Sequence, residues 1–378
     1  VENVQIDTFY YSGALSCASM RTVVSDAGDL TTIDVTLLFG GMKQLNTRRA
    51  ATLEDVARTA GVSRSQASRA LRNDPGVKQQ TKAHILEIAA KLNYTPNLAA
   101  QTLASRQSRS IGIVVGDILN PYEAMLAREC DLVLRQTGYF AMLAVNGTVS
   151  SVNAFIDQRI AGLVLIGTPG GRDEIINVSK LLPTVYIGRN LKEDGVESVS
   201  SDDSLGAGLA TELLVKSGHT AIAHVSGGSG AGAKRREAAY RGTMLEHGLE
   251  AMVVEGRYNV DAGSMAADTL MARKTRPTAI FAANDLIALG VISRLAWLGY
   301  RVPDDVAVVG FDDIPLASSE PISLTTIRQK VPNMVSAAIE ILLRRIEAPD
   351  TPLTNPVLAP ELVVRRSSGI PIGQSIVR

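Results

Sequence analysis

Residues 52–71, Thr52-Leu53-Glu54-Asp55-Val56-Ala57-Arg58-Thr59-Ala60-Gly61-Val62-Ser63-Arg64-Ser65-Gln66-Ala67-Ser68-Arg69-Ala70-Leu71, decide how this chain is read. Thr52 followed three residues later by Asp55 is the signature of a capping box, and Leu53, Val56, Ala57 and Ala60 fall on one helical face. Gly61 ends that helix; Val62 is placed to pack beneath the turn and Ser63 to cap a second helix, with Ala67, Ala70 and Leu71 as its buried stripe. Asn73-Asp74-Pro75-Gly76 breaks any continuation. A third helix is expected from about Thr81, with Ile85, Ile88, Ala89 and Leu92 inward, stopping near Asn93 and before Pro96. Three short helices with a tight glycine turn between the first two form the helix-turn-helix arrangement, here a small all-α domain over residues 43–96.

Charge supports that assignment. The whole chain of 378 residues has a net charge of zero, yet residues 43–109 hold twelve basic and four acidic side chains, a net +8, which leaves −8 elsewhere. A small basic module joined to a larger acidic one is the electrostatic footprint of a nucleic-acid reader with a second function. The second helix of such a module enters the major groove with its first residues at base edges. Arg64 and Arg69 are therefore the candidates for bidentate contacts to guanine, with Ser65 beside them. Ser63, Gln66, Ser68 and Lys78 sit nearer the phosphates, where they set register without reading sequence. Thr52, Leu53, Thr81 and Tyr94 complete the candidate DNA-facing set on the helical domain.

Ahead of this module, residues 1–42 show neither helical nor alternating periodicity and are expected to lack structure. Met42 precedes the basic run Lys43 to Arg49, so translation is expected to begin there. Glu2 and Asp7 stand where a secretory leader carries basic residues, and no apolar run reaches membrane-spanning length. Only two cysteines, Cys17 and Cys130, occur, without disulfide or metal-ligand spacing, which suits a reducing cytoplasm.

Beyond Ser110 the pattern changes. Ile111 to Gly116, Phe140 to Val145, Gly162 to Ile166, Thr184 to Ile187, Ala221 to Val225, Ala279 to Ala282 and Val306 to Val309 read as buried parallel strands. Helical stretches separate them, around Glu123 to Gln136, Leu205 to Ser217, Ala238 to His247, Ser264 to Ala272 and Leu286 to Leu298. Such alternation over some 250 residues predicts doubly wound α/β structure in two lobes.

Together with Asn93-Tyr94-Thr95-Pro96-Asn97, Ala100-Gln101-Thr102-Leu103-Ala104, Asp117-Ile118-Leu119-Asn120-Pro121-Tyr122, Ser217-Gly218-His219, Ala283-Asn284-Asp285, Val309-Gly310-Phe311-Asp312-Asp313 and Leu324-Thr325-Thr326-Ile327, the opening stretch resembles the lactose/galactose-repressor (LacI/GalR) family. The likeness runs in the family's order over roughly residues 52–367. It implies a helix-turn-helix domain followed by a two-lobed, periplasmic-binding-protein-like α/β sensor. It also implies that residues 97–109 are a hinge in which Asn97 to Ser105 forms a helix only on DNA, with Leu103 wedged into the minor groove. So short a helix is marginal in isolation, which agrees. Lobe 1 is expected over about 110–189 and 324–348, lobe 2 over about 190–313 and 355–368, and a tail over 369–378. Gln66-Ala67 stand where the family commonly has threonine and valine, and Arg64-Ser65 fill its most variable base-reading positions, so no operator sequence carries over.

The resemblance places an effector between the lobes, where open α/β sheets bind ligands. By position, Asp117 and Tyr122 come from the first lobe, Arg236, Asn284 and Asp312 from the second, with Arg189 close by and Tyr258 as an aromatic wall. Carboxylate, amide and guanidinium around an aromatic face suit a polyhydroxylated molecule, each hydroxyl needing a partner once water is excluded. A sugar or sugar derivative is the expected effector, a nucleobase the alternative; Asp312 and Asn284 equally suit helix caps after their strands. The expected protein is a cytoplasmic, nucleoid-associated homodimeric repressor on double-stranded operator DNA, without cofactor, metal, membrane partner or catalysis. The tail after Val364 lacks the heptad leucines of a tetramer-forming coiled coil.

Other motifs point nowhere. Gly227-Gly228-Ser229-Gly230-Ala231-Gly232-Ala233-Lys234 lacks the ending of a phosphate loop and reads as a flexible cleft loop. The four histidines are scattered, and no nucleophile elbow has an acid and base partner. Two rivals remain at this stage: a sugar-capture receptor, which has no use for the basic module, and an enzyme acting on a sugar or nucleoside.

Overall fold

Thr52 caps the first helix as its spacing predicts: its hydroxyl accepts the Asp55 N–H at 3.2 Å, and the Asp55 carboxylate accepts the Thr52 N–H at 3.0 Å. The computed structural model describes residues 8–9, 19–20, 51–71, 74, 76–94, 108–145, 149–167 and 171–369. The chain divides into two units, residues 1–101 and 102–378.

In the first unit, α1 (Leu53–Thr59), α2 (Arg64–Leu71) and α3 (Gln79–Lys91) enclose a core of Val56, Ala57, Ala67, Ala70, Ile85, Ile88 and Ala89. Alanines dominate because the helices must approach closely around so small a centre. Gly61, at φ +65°, makes the turn between α1 and α2 that a side chain would strain. In the segment expected to be unstructured, β1 (Thr8–Phe9) and β2 (Ser19–Met20) form a short antiparallel ladder. The expected hinge with Asn97 and Leu103 lies outside the described residues, apart from Ser108 and Arg109.

The second unit contains two six-stranded sheets. In the first, β3 (Ser110–Val115), β4 (Phe140–Val145), β5 (Gly162–Ile166), β6 (Thr184–Ile187), β7 (Glu197–Ser201) and β13 (Val357–Leu358) run parallel in the order β13-β7-β6-β5-β3-β4. Helices α4 (Pro121–Gln136) and α11 (Val331–Glu347) cover one face, and α5 (Val149–Asp157) with α6 (Arg172–Ser179) the other. The second sheet orders β14-β12-β11-β10-β8-β9 from β8 (Ile222–Val225), β9 (Met252–Val254), β10 (Ala279–Ala282), β11 (Ala307–Asp312), β12 (Thr325–Arg328) and β14 (Glu361–Val363). Only β14 runs antiparallel to its neighbour. Helices α7 (Asp203–Lys216) and α8 (Ala231–Glu246) pack on one face, α9 (Val260–Met271) and α10 (Asp285–Trp297) on the other.

The lobe limits differ from those expected. β7 pairs with β6, so the first lobe extends through Ser201 rather than ending at 189; β12 pairs with β11, so residues 325–328 belong to the second. The chain crosses at Asp202, at Gln329 and between β13 and β14. Both strands escaped notice because they carry hydroxyls instead of an apolar run. β7 reads Glu-Ser-Val-Ser-Ser with every residue buried, and Asn355 donates to Ser198 at 2.7 Å. On β12, Thr326 donates to Asp285 at 2.5 Å. The glycine-rich stretch is also shorter as a loop than expected, because α8 starts at Ala231 and takes in Gly232 and Ala233.

Helices α9 and α10 cross at two glycines. A Cβ on Gly290 would stand 2.0 Å from the Val260 carbonyl oxygen, and one on Gly263 would stand 2.1 Å from that of Ile287. Gly290→Ala is expected to force the helices apart at a cost of about 1–3 kcal/mol, lowering the melting temperature by several degrees. Gly208→Ala, on α7 and facing open space, is expected to gain about 0.5–1 kcal/mol from helix propensity. Paired thermal melts check the contrast.

Candidate functional site

On α2 the division between buried and exposed residues follows the sequence pattern. Ala67 and Ala70 are buried, Ser63, Arg64, Ser65 and Arg69 are exposed, and Gln66 and Ser68 are half-buried. Ser63 accepts the Gln66 N–H at 3.2 Å, so this hydroxyl caps the helix that presents the two arginines. Lys78 is exposed just before α3, and Thr81 is half-buried on its first turn. Tyr94 packs half-buried against the small core; burial raises its phenol pKa, and the nearby Arg64 opposes that shift. Thr52 is engaged in its capping box and Leu53 is partly buried at the core, so both serve the fold of this domain first.

In the second unit, the ends of the strands bring polar groups together. Tyr122 on α4 donates to Gln329 Oε1 at 2.9 Å, and Gln329 Nε2 donates to Asp312 Oδ1 at 2.7 Å, which links the two lobes. Arg236 Nη1 stands 3.8 Å from that same carboxylate oxygen and donates to the Ala283 carbonyl at 2.5 Å. Its Nε donates to Asp203 Oδ1 at 2.9 Å, and its guanidinium lies 3.5 Å from the centre of the Phe311 ring. Arg235 holds the other Asp203 oxygen at 2.8 Å. Tyr258 stands 5.9 Å from the Arg236 guanidinium, and its ring fills the space where a side chain on Gly227 would lie. Asp312 has φ +121° and Asp313 φ +58°, strained values for side-chain-bearing residues, kept at the end of β11. Asp313 is held by Arg328 at 2.6 Å and Arg365 at 2.7 Å.

Two family models match the chain, one described as bacterial regulatory proteins, lacI family, over residues 52–97 and one as a periplasmic binding protein-like domain over residues 211–368. The ribose operon repressor of Escherichia coli (strain K12) is 32% identical over 329 residues, covering 84% of this chain and 100% of that protein. The probable HTH-type transcriptional repressor ExuR of Bacillus subtilis (strain 168) is 31% identical over 84% of this chain and 98% of its own. The chain belongs to the lacI family. Among solved structures, that of the lac repressor dimer bound to operator and the anti-inducer ONPF superposes with a TM-score of 0.76 at 27% identity, over 85% of this chain and 99% of the other. As a lacI-family member this chain is a DNA-binding transcription regulator whose second domain binds an effector that controls it. Its named relatives are transcriptional repressors, not enzymes. Among the described residues no helix is long and apolar enough to cross a membrane.

Within this lacI-family frame, the expected cleft residues do not all do the same work. Tyr122, Arg236, Tyr258 and Asp312 share the interlobe network. Asn284 is buried, and its Oδ1 accepts the Ile287 N–H at 2.9 Å, so it caps α10. Asp117 is exposed and accepts the Leu119 N–H at 2.9 Å, which shapes the loop leading into α4. Arg189 lies over the Tyr186 ring, 5.2 Å from its centre. Sequence reasoning passed over Asp203, Gln329, Glu123 and Asp285. Asp203 reads as an ordinary acidic residue in a first helical turn, and Gln329 follows β12, a strand that itself went unseen.

Burial pushes the Tyr122 phenol well up, and the charge of Asp312 adds to this, so Tyr122 stays a neutral donor. Burial likewise raises Asp312, against Arg236 and Gln329, which favour its charged form. Glu123 accepts the Asp117 N–H at 2.9 Å, yet burial brings its carboxyl pKa to about 7 from an ordinary 4.5. Between those values the folded chain binds more protons at this site than the unfolded chain, so stability falls as pH rises through the window. Glu123→Gln is therefore expected to raise the melting temperature relative to the parent at pH 8 and to leave it unchanged at pH 4. Melts across that range check the sign.

Proposed function

We propose that this chain is a cytoplasmic homodimeric repressor that holds a pseudo-palindromic operator and is switched by a polyhydroxylated small molecule, a sugar or sugar derivative, bound between its lobes. Arg64 and Arg69 read bases with Ser65 beside them, while Ser63, Gln66, Ser68 and Lys78 set the register on phosphates. Asn97 and Leu103 belong to a hinge over residues 97–109 that orders on DNA. Tyr122, Arg189, Arg236, Tyr258 and Asp312 surround the effector, with Asn284 and Asp117 shaping the walls. Effector binding changes the relation of the two lobes at Asp202 and Gln329, and through the hinge changes operator affinity. The chain carries out no catalysis.

The α2 surface carries this proposal: Arg64 and Arg69 project to solvent from a helix whose alanine face is buried and whose N-terminus is capped by Ser63. A titration of the full chain against duplex DNA from upstream of its own gene tests it. Binding to that duplex is expected to be tight and to weaken about a thousandfold or more between 50 and 200 mM salt, as when six or more phosphates are neutralised. Absence of salt-sensitive binding favours a sugar-capture receptor instead.

A further inference from the structure

We infer that the effector bears a carboxylate and that Arg189 grips it through the Nε/Nη2 edge of its guanidinium. This rests on the proposal that the effector lies between the lobes, and adds the chemical class of the ligand. β6 ends at Ile187, Gly188 turns at φ +134°, and Arg189 follows at the carboxyl edge of the first sheet. Its Nε and Nη2 are both buried and have no hydrogen-bond partner among the described residues. These two nitrogens share one edge of the guanidinium, and their parallel N–H bonds match the two oxygens of a carboxylate. The chain uses that edge in this way elsewhere. Arg345 Nε and Nη2 reach Glu197 Oε2 and Oε1 at 3.2 and 3.1 Å, and Arg301 Nε and Nη2 reach Asp305 Oδ2 and Oδ1, both at 3.2 Å.

The other arginines near the strand ends are engaged. Arg235 and Arg236 share Asp203, and Arg328 and Arg365 share Asp313. Arg344 Nε also has no partner, but its Nη2 binds Glu197 at 3.1 Å. Arg189 alone among these offers a buried fork without a protein carboxylate, and burying an unpaired guanidinium is costly unless an anion meets it. Its location fits the effector site: the charges of Arg189 and Glu123 both reach the Tyr186 phenol, and that of Asp312 reaches Glu123. A single planar fork matches the two oxygens of a carboxylate, whereas a phosphate would bring a second negative charge to an edge that lies near Glu123. The remaining hydroxyls of a sugar acid meet Tyr122, Gln329, Tyr258 and Asp312.

Calorimetric titration of the full chain tests this, using D-glucuronate and D-galacturonate, their uncharged amides, D-glucose, D-galactose and glucose 6-phosphate. At least one of the two acids is expected to bind, with its amide about 100-fold weaker, as for loss of a bidentate charged pair. Arg189→Gln is expected to bring the acid down to the level of the amide, with a parental circular dichroism spectrum and a ligand-free melting temperature at or above the parent's, since the uncompensated buried charge is gone. A neutral sugar or the sugar phosphate binding as tightly as the acid overturns the inference; so does an acid indifferent to Arg189→Gln, and so does failure of both acids to bind. Arg236→Lys separates the two levels. Loss of binding there but not in Arg189→Gln leaves the cleft in place and removes the carboxylate, whereas binding unchanged in both variants removes the cleft as well.

Discussion

Arg236→Ala is expected to abolish the response to effector and to destabilise the second unit by about 3–5 kcal/mol, the usual cost of removing one partner from a buried ion pair. Arg236 is 7% exposed, Asp203 3% and Asp312 4%, so no solvent replaces the lost guanidinium. Burial pulls the Arg236 charge down, but Tyr258, Asp203 and Asp312 outweigh it, and the net shift is upward. With alanine, Asp312 loses the guanidinium 3.8 Å away and keeps its hydrogen bond from Gln329, and the Ala283 carbonyl loses a donor at 2.5 Å. Arg235 remains on Asp203 and limits the damage there. Since Asp312 also sits at a strained φ, its release removes part of what holds the β11 terminus in place. Arg236→Lys keeps the charge but cannot reproduce the fork, and is expected to fall between the parent and alanine. Calorimetric melts and ligand titrations check both variants; a parental melt with a parental response in Arg236→Ala contradicts the assignment.

The opposite pattern is expected in the first unit. Arg64→Ala with Arg69→Ala should weaken operator binding by about 2–6 kcal/mol, the sum for two bidentate base contacts, and leave effector affinity and melting temperature unchanged. Stability should hold because both side chains are exposed on α2 while the helical core consists of Val56, Ala57, Ala67, Ala70, Ile85, Ile88 and Ala89. The loss should be large on operator and small on unrelated duplex, since a phosphate contact weakens both alike. Equal losses on the two duplexes would move these arginines from base reading to phosphate contact. Competition binding with both duplexes at one salt concentration decides it.

Where local rules act alone, the sequence was easily read. The capping box at Thr52, the serine cap at position 63 and the apolar strands β3, β5, β6 and β10 each leave a signature within a few residues. β7 and β12 left none, because their burial is made possible by partners distant in sequence: Glu197 meets Arg344 and Arg345, and Thr325 meets Ser368. The lobe limits were misplaced for that reason. The network between the lobes draws in Tyr122, Arg236 and Asp312, which the sequence singles out, and also Gln329 and Asp203, which it does not, because their partners depend on where two crossovers bring them. Asn284 shows the limit of position as a guide, for its side chain serves the helix that it begins.

If effector and operator sites are coupled, each must alter the affinity of the other by the same factor. The deciding measurement is the affinity of the full chain for the sugar that stabilises it most in a thermal screen, taken with and without saturating operator duplex. A change of about 5- to 150-fold, matched by an equal change in duplex affinity when the sugar is saturating, is expected. Sugar affinity identical in the presence and absence of the duplex would contradict a reader joined to a switch.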